Sequence, residues 1–113
     1  MALPQPTTDS RQTERRILRV RAIASVAHLA YDVRTENVSV GGLAIRMPVP
    51  LPVKATVEVT FMMFAGSRPA NITLTAAVVH TLLSGDSWLT GLSVTRIAEE
   101  HRRILADYCA NRI

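Results

Sequence analysis

A short polar and glycine-rich stretch, Asn37-Val38-Ser39-Val40-Gly41-Gly42, separates two apolar segments in which residues alternate. Asn and Ser side chains can hydrogen-bond the backbone of a turn, and adjacent glycines permit positive φ and the close approach of another molecule. Such a turn exposes backbone N–H groups in a concavity that suits an anion. The same residue types also form ordinary hairpin turns, so the stretch alone leaves a purely structural role open.

Arginines are concentrated upstream of this turn, where they are Arg11, Arg15, Arg16, Arg19 and Arg21. A guanidinium is a rigid planar fork that binds phosphate oxygens in pairs and stacks on flat rings, so the cluster favours nucleotide recognition. Twelve of the thirteen basic residues are arginines, but a GC-rich genome would also produce this excess of arginine over lysine. The net charge of +4 indicates an anionic partner but does not choose among a phosphate ligand, nucleic acid and a membrane surface.

Residues that could carry catalysis or hold a metal are scattered. His28, His80 and His101 fall on different predicted elements, and no cysteine or carboxylate pair lies beside them at ligand spacing. His80 lies on an apolar alternating face, which predicts a core or rim residue rather than a base. The sequence also lacks a P-loop, a G-x-S-x-G and a G-x-G-x-x-G motif. We therefore expect no metal, no cofactor and no enzymatic activity.

The length of 113 residues and the apolar content of 48% predict a single domain with its own core. Residues 1–13 contain Pro4 and Pro6 and little that could be buried, so they are predicted to be a flexible arm, with the domain at 14–113. Cys109 is the only cysteine, which favours a reducing compartment. No signal peptide is evident and no apolar run reaches the roughly 20 residues of a membrane span. A cytoplasmic protein without a membrane span is predicted.

Six segments show the alternation of apolar and polar residues that predicts β-strands; they are residues 20–28, 31–36, 43–47, 53–61, 72–82 and 88–95. The clearest alternation is at 53–61, where Val53, Val57 and Phe61 share the predicted buried face. A connecting loop is predicted at Ala65–Pro69. For Met62-Met63-Phe64 and for Trp88, packing is favoured over contact with a partner.

From Ile97 the apolar spacing changes to three, four and seven, which predicts an amphipathic C-terminal helix with Thr95 as its N-cap. The predicted apolar face consists of Ile97, Ile104, Leu105, Tyr108 and Cys109. Six strands and one helix with short connections predict an all-β fold, because closing the sheet into an antiparallel barrel removes its exposed edges. The helix would plug or flank the barrel.

Taken together, the arginine cluster and the turn resemble the signature of the PilZ-domain family. That signature is R-x-x-x-R in an N-terminal loop, followed by [D/N]-x-S-x-x-G after the second strand. Both halves are complete here, as Arg15-Arg16-Ile17-Leu18-Arg19 and as Asn37 to Gly42, and the strand pattern and closing helix extend the resemblance from about residue 11 to the C-terminus. The resemblance implies a PilZ-type six-stranded barrel that binds cyclic di-GMP, a bacterial second messenger with two phosphates and two guanines.

The ligand-binding residues that the resemblance implies are Arg15, Arg16, Arg19, Asn37, Ser39, Gly41 and Gly42. The arginines can fork onto phosphate oxygens or onto guanine O6 and N7, and a guanidinium can lie flat on a guanine ring. Asn37 and Ser39 can hydrogen-bond a guanine edge or orient the turn. Asn37 is permitted by the signature, but it lacks the negative charge that Asp would offer.

We expect the ligand to order the arm against the barrel and so to present a new surface to an unidentified protein partner, with an output such as motility or biofilm formation. One alternative is a PilZ-type adaptor that acts through protein contacts in pilus assembly or motility, with little nucleotide binding. The other is a barrel that binds single-stranded nucleic acid. Nucleic acid is the less favoured partner because aromatic residues, at 4%, offer few stacking platforms.

Overall fold

The computed structural model describes residues 14–113, so the arm predicted at residues 1–13 lies outside the described residues. In chain order the elements are β1 (Arg16–Ile17), β2 (Arg21–Val26), β3 (Leu29–Val38), β4 (Gly42–Met47), β5 (Thr56–Ala65), β6 (Arg68–Ser84), β7 (Ser87–Ile97) and α1 (Glu99–Cys109). Most of the described chain is therefore extended, as the alternating sequence predicts.

Six of these strands close into a ring of antiparallel pairs. In order around the ring they are β2, β3, β4, β7, β6 and β5, and β5 pairs with β2 again. β1 is a further strand of two residues, which pairs with the end of β3 beyond Arg21, the first residue of β2. The ring and α1 confirm the predicted all-β fold, a six-stranded antiparallel barrel with a C-terminal helix.

The core fills the inside of the ring with side chains from alternating positions. On β5 these are Val57, Val59, Phe61 and Met63, all buried, while the residues between them are exposed. Fully burying an aliphatic or aromatic side chain of this size contributes roughly 1.5–3 kcal/mol, so a few such strands supply the main driving force for folding. Leu105 and Cys109 are the buried residues of α1 and join the same core.

Two side chains do not lie in the predicted core. Val53 is exposed because β5 begins only at Thr56, after Lys54 adopts a positive φ of 78°. His80 does not continue the buried face of β6, because a bulge lies between Val78 and His80. A bulge inserts one residue and moves every later side chain to the opposite face.

Two turns are tighter than predicted. The loop expected at Ala65–Pro69 is a turn at Gly66 and Ser67, and its ends already belong to β5 and β6. The first predicted strand ends at Val26, because Ala27 and His28 have φ of 50° and 71° and form the turn to β3. Consecutive residues with positive φ suit the twist of a hairpin.

The Met62-Met63-Phe64 run divides between the two faces of β5. Met63 is buried in the core, whereas Met62 and Phe64 are exposed on the outside of the barrel. Trp88 is half-buried and packs against the core. The favoured packing role therefore holds for Met63 and Trp88 but not for Met62 and Phe64.

Thr95 was wrongly predicted as the helix N-cap. β7 extends to Ile97, the N-cap residue is Ala98, and the Thr95 hydroxyl donates to the Thr75 carbonyl oxygen at 3.2 Å. The acidic residues Glu99 and Glu100 lie in the first turn of α1, where they complement the helix dipole. No helix within residues 14–113 is long and apolar enough to cross a membrane.

Candidate functional site

The residues from Arg15 to Arg21, which we call the arginine segment, are held against the barrel by hydrogen bonds centred on one buried residue, Thr35. Thr35, on β3, is fully buried; its Oγ1 accepts a hydrogen bond from the Val20 amide at 3.0 Å and donates to the Leu18 carbonyl oxygen. The Thr35 amide also donates to the Val20 carbonyl oxygen at 2.9 Å. In the stretch of chain between β1 and β2, these bonds to β3 replace regular strand pairing. They fix the backbone on either side of Arg19.

The turn between β3 and β4 consists of residues 39–41 and is organised from within by Ser39. It is shorter than the predicted turn, because Asn37 belongs to the end of β3 and Gly42 to the start of β4. Both the Ser39 amide and its hydroxyl donate to the Gly42 carbonyl oxygen, at 2.7 and 3.1 Å. The side chain is buried, so its hydroxyl orients the turn in the structure. The Val94 amide donates to the Gly41 carbonyl oxygen at 2.9 Å, which ties the turn to β7.

Gly42 is required by close packing rather than by an unusual φ. A Cβ at this position would lie 2.6 Å from the Leu92 carbonyl oxygen and 3.6 Å from Arg15 Nη2. Any side chain would therefore force β4 away from β7 and crowd Arg15. Gly41 is exposed, and a Cβ there would meet nothing within 4 Å.

Arg15 joins the two halves of the motif. Its Nη1 donates to Asn37 Oδ1 at 2.6 Å, in an exposed position at the end of β3. The contact is a charge-assisted hydrogen bond to a neutral amide. Arg15 is exposed and Asn37 is half-buried, so either group can exchange the other for a polar ligand without leaving a fully buried group unsatisfied.

A cleft of about 220 Å³ lies beside this contact. Four of the predicted residues line it, together with five that the motif does not include; the whole lining is Arg15, Ser39, Gly41, Gly42, Val79, His80, Gly91, Leu92 and Ser93. The turn thus faces the bulged part of β6 and the middle of β7. The cleft offers one guanidinium, backbone groups and an imidazole.

His80 is the cleft residue that sequence reasoning missed as a site residue. The ring lies against Gly91, its partner across β6 and β7, where a Cβ would be 2.3 Å from His80 Nε2 and 2.4 Å from Cε1. The bulge after Val78 brings the ring to this face. An imidazole offers a flat face and a hydrogen-bonding nitrogen. The sequence carries no local signal for this position, because the bulge is defined by the pairing of β6 with β7.

Arg16 points away from the cleft, toward the end of α1. Its Nη1 donates to the carbonyl oxygens of Tyr108 at 2.8 Å and Ile113 at 3.1 Å, and its guanidinium carbon lies 4.1 Å from the centroid of the Tyr108 ring. The Tyr108 hydroxyl donates to the Ile17 carbonyl oxygen at 2.6 Å. Arg16 therefore fastens β1 to the C-terminal end of the helix.

Arg19 lies outside the cleft and interacts with Glu36. Arg19 Nε is 3.4 Å from Glu36 Oε1, and Arg46 Nε donates to Glu36 Oε2 at 2.8 Å. The hydrogen bond from Arg46 is the main cause of a lowered pKa for Glu36, and the charges of Arg46 and Arg19 add to it. Arg19 remains 63% exposed, so it can turn toward a ligand at small cost.

No group of three His, Cys, Asp or Glu side chains is placed to hold a metal ion within residues 14–113. Cys109 lies in the core, where burial raises the pKa of its thiol. Its sulfur donates to the Val38 carbonyl oxygen at 3.4 Å, at the end of β3. The chemistry of the cleft therefore rests on Arg15, His80 and the turn.

The family model of the PilZ domain matches residues 9–111, which include both motif halves, the whole barrel and α1. The chain belongs to the PilZ domain family. In this PilZ domain Arg15, Ser39, Gly41 and Gly42 line one cleft, and Asn37 contacts Arg15 beside it. Arg16 contacts the end of α1 and Arg19 contacts Glu36 on β3. No curated protein sequence matches the chain.

Solved structures with the same fold include the Bacillus subtilis inhibitor of motility, MotI/DgrA, with a TM-score of 0.81 and 17% identity over 90% of this PilZ domain. The Borreliella burgdorferi PlzA protein, in complex with c-di-GMP, has a TM-score of 0.58 and 13% identity over 96%. The PilZ domain of CeSA from a cellulose-synthesizing bacterium has a TM-score of 0.61 and 16% identity over 87%.

The coverage of these three structures differs. The chain spans 50% of the MotI/DgrA chain, 38% of the PlzA chain and 96% of the CeSA domain. At these identities the likeness establishes the shared fold. This PilZ domain matches nearly all of the CeSA domain and only part of the two longer proteins.

Proposed function

We propose that this PilZ domain is a receptor for cyclic di-GMP, which acts by binding the dinucleotide and not by catalysis. The observation that carries the proposal is the contact between Arg15 and Asn37, because it joins the two halves of the motif at the edge of a cleft. The PlzA protein, which shares the fold, forms a complex with c-di-GMP, and this supports the same ligand class here.

The roles of the residues follow from their chemistry. Arg15 would exchange Asn37 for a phosphate or for guanine O6 and N7, and Asn37 would then be available to a guanine edge. Ser39 and Gly42 would keep the turn in place so that backbone groups of the turn face the ligand. His80 would stack on a base or hydrogen-bond its edge.

Arg19 and Arg16 would join the ligand only by giving up contacts. Arg19, which is exposed, would leave Glu36 at 3.4 Å, and this costs little because Glu36 keeps its hydrogen bond from Arg46. Arg16 would leave the Tyr108 ring and two carbonyl oxygens, which is a larger change. We therefore propose that Arg15 and Arg19 bind the dinucleotide first and that engagement of Arg16 would release the end of α1.

The consequence of binding would be a change of surface, and the output would pass through a protein partner in the cytoplasm. The residues around the arginines include Ile17 and Phe64, both largely exposed on the outside of the barrel. Movement of the arginine segment would change the apolar surface that Ile17 and Phe64 offer to a protein partner. MotI/DgrA, which shares the fold, is an inhibitor of motility, and this supports motility as one such output.

Isothermal titration calorimetry with cyclic di-GMP tests the proposal on the wild type and on Arg15→Ala, Arg19→Ala and Ser39→Ala. Losing one charged hydrogen-bonding partner should cost roughly 1.5–3 kcal/mol, or about ten-fold or more in affinity. Arg103→Ala is the matched control, because Arg103 is 70% exposed on α1. Within residues 14–113 its one ion pair is with the exposed Glu99, at 3.8 Å. Its affinity should equal that of the wild type.

Two results would reject the receptor. An absence of binding at micromolar protein would favour the adaptor that acts through protein contacts. Binding of single-stranded oligonucleotides that falls steeply with salt, without preference for the cyclic dinucleotide, would favour the nucleic-acid barrel. Equal affinities of the control, Arg15→Ala and Arg19→Ala would mean that the dinucleotide binds elsewhere.

A further inference from the structure

Three arginines lie side by side on the outside of three neighbouring strands. Arg21 of β2 is directly opposite Arg34 of β3, and Arg34 is directly opposite Arg46 of β4. The residues beside them in the chain, such as Val33 and Ile45, are buried, so the three arginine side chains point outward. We call Arg21, Arg34 and Arg46 the arginine row.

The row is unfavourable for the barrel itself. Like charges directly opposite each other on adjacent strands destabilise a sheet. Arg46 is compensated by Glu36 and by hydrogen bonds to the Ser84 carbonyl oxygen and the Ser87 hydroxyl. Among residues 14–113, Arg21 and Arg34 form no ion pair. Two neighbouring guanidinium groups are thus left to an outside anion.

Apolar side chains continue the row at both ends. Beyond Arg46, the next residues across the ring are Leu89 and then Leu82, which is 63% exposed. At the other end, Met62 lines the same groove as Arg21 and is 50% exposed. The outside of the barrel therefore carries a band with a basic centre and apolar ends.

Discrete acidic residues border the row. Asp32 and Asp86 line the groove that contains Arg21, Arg34 and Arg46. A membrane surface or a nucleic acid presents a continuous array of anions, which these carboxylates would repel. A protein segment can instead place single carboxylates on the arginines and avoid the aspartates. The charge pattern thus favours a protein partner.

We propose that the arginine row binds an acidic amphipathic helix of a partner protein. Adjacent strands are about 4.8 Å apart, so three arginines span about 10 Å across the sheet. A helix rises about 1.5 Å per residue, so carboxylates at positions i, i+4 and i+7 lie on one face and span about 10.5 Å. Arg21 and Arg34 can then each pair with one carboxylate through the guanidinium fork, and Arg46 can offer the third its Nη2, which forms no hydrogen bond within residues 14–113. Apolar residues of the helix reach Leu82 or Met62.

The experiment uses the full chain and a fluorescein-labelled helical peptide with glutamates at i, i+4 and i+7 and leucines at both ends of that series. Binding is followed by fluorescence anisotropy at low and at moderate salt. A second peptide has glutamine in place of each glutamate. The variants are Arg21→Ala with Arg34→Ala, and as a charge-matched control Arg96→Ala with Arg103→Ala, which are exposed arginines of β7 and α1.

The expected result is binding of the glutamate peptide to the wild type and to the control, within two-fold of each other. The Arg21/Arg34 double variant, and the glutamine peptide with the wild type, should bind at least ten-fold more weakly. If both double variants bound the glutamate peptide equally weakly, the loss of affinity would follow from the lower net charge alone, and the proposal would be overturned. It would also be overturned if a DNA oligonucleotide or phosphatidylserine vesicles, and not the peptide, required Arg21 and Arg34. The inference does not depend on cyclic di-GMP.

Discussion

The imidazole of His80 rests on Gly91, so closely that a Cβ at residue 91 would lie 2.3 Å from His80 Nε2. No side chain at residue 91 is compatible with this ring position. The ring forms part of the cleft that also contains Arg15 and the turn at Ser39 to Gly42. The absence of a side chain at Gly91 on β7 thus allows the position of the His80 ring on β6.

We predict that Gly91→Ala weakens the binding of cyclic di-GMP by displacing His80. Stacking of a base on a flat side chain contributes about 1–3 kcal/mol, so His80→Ala should cost about 1 kcal/mol or more. In the His80→Ala background the Gly91→Ala change should have little further effect. Calorimetric titration of both single variants and the double variant measures this coupling. If Gly91→Ala lowered the affinity equally with and without His80, the loss would come from distortion of β6 and β7 and not from displacement of the ring.

The pKa of Glu36 leads to a prediction about stability and pH. The pKa lies below the ordinary value of 4.5, first because Arg46 donates a hydrogen bond to the carboxylate and then because Arg46 and Arg19 are positively charged. A carboxylate with a depressed folded-state pKa stabilises the fold above its unfolded pKa, and this contribution is lost as the pH falls through the folded value. The gain should therefore be full at neutral pH and decline below 4.5.

Urea unfolding of the wild type and Glu36→Gln tests this at about pH 7 and about pH 3. The wild type should be the more stable at neutral pH, and the difference should shrink in acid. Glu100→Gln serves as control, because Glu100 is exposed on α1 and forms no ion pair within residues 14–113. A difference between wild type and Glu36→Gln that is the same at both pH values would contradict the prediction.

The contact between Arg16 and Tyr108 should stabilise the junction of β1 and α1. Arg16 and Tyr108 are both half-buried, and a cation–π contact contributes about 0.5–1 kcal/mol even at an exposed site. The two hydrogen bonds from Arg16 and the one from Tyr108 add to it. Arg16→Ala and Tyr108→Leu should each destabilise the domain, and the double variant should lose less than the sum. A double-mutant cycle by urea unfolding measures the coupling; strict additivity would show that the ring and the guanidinium act independently.

Removing one member of the arginine row should stabilise the barrel. Arg34 has an arginine opposite it on each side, so Arg34→Thr relieves like-charge repulsion and places a residue with high β-propensity on the strand. We expect the free energy of unfolding to rise by about 0.2–1 kcal/mol. Arg96→Thr is the control, because Arg96 is opposite Thr75 on β6 and only the propensity term applies. If the free energy of unfolding rose equally in both variants, repulsion between the arginines of the row would be excluded as the cause.

The sequence predicted those features that depend on local periodicity. Val57 and Phe61 alternate with polar residues, and hydrophobic burial alone places them inside a barrel. Arg15 and Asn37 were predicted in one site from the two motif halves, and the structure joins them at 2.6 Å. Their contact with a ligand stays a prediction, as does that of Ser39, Gly41 and Gly42.

Other features depend on pairing between distant residues, which periodicity does not reveal. The direction of Arg16 is set by Tyr108 and Ile113 at the other end of the chain. Thr95 looked like a helix cap, but the pairing of Ile97 with Leu74 extends β7 past it. His80 faces the cleft because a bulge shifts the register of β6, and a bulge leaves no periodic signal of its own.

The closed ring of β2 to β7 has a consequence for how any partner can attach. Each of these strands already has a hydrogen-bonded neighbour on both sides, so the ring offers no continuous edge on which an incoming strand could continue the sheet. A partner must therefore be recognised through side chains and through the backbone of the turns, and not by adding a strand to the ring. A lineage of such barrels can exchange one binding specificity for another by surface substitutions alone, while the backbone ladder that holds the domain together stays untouched.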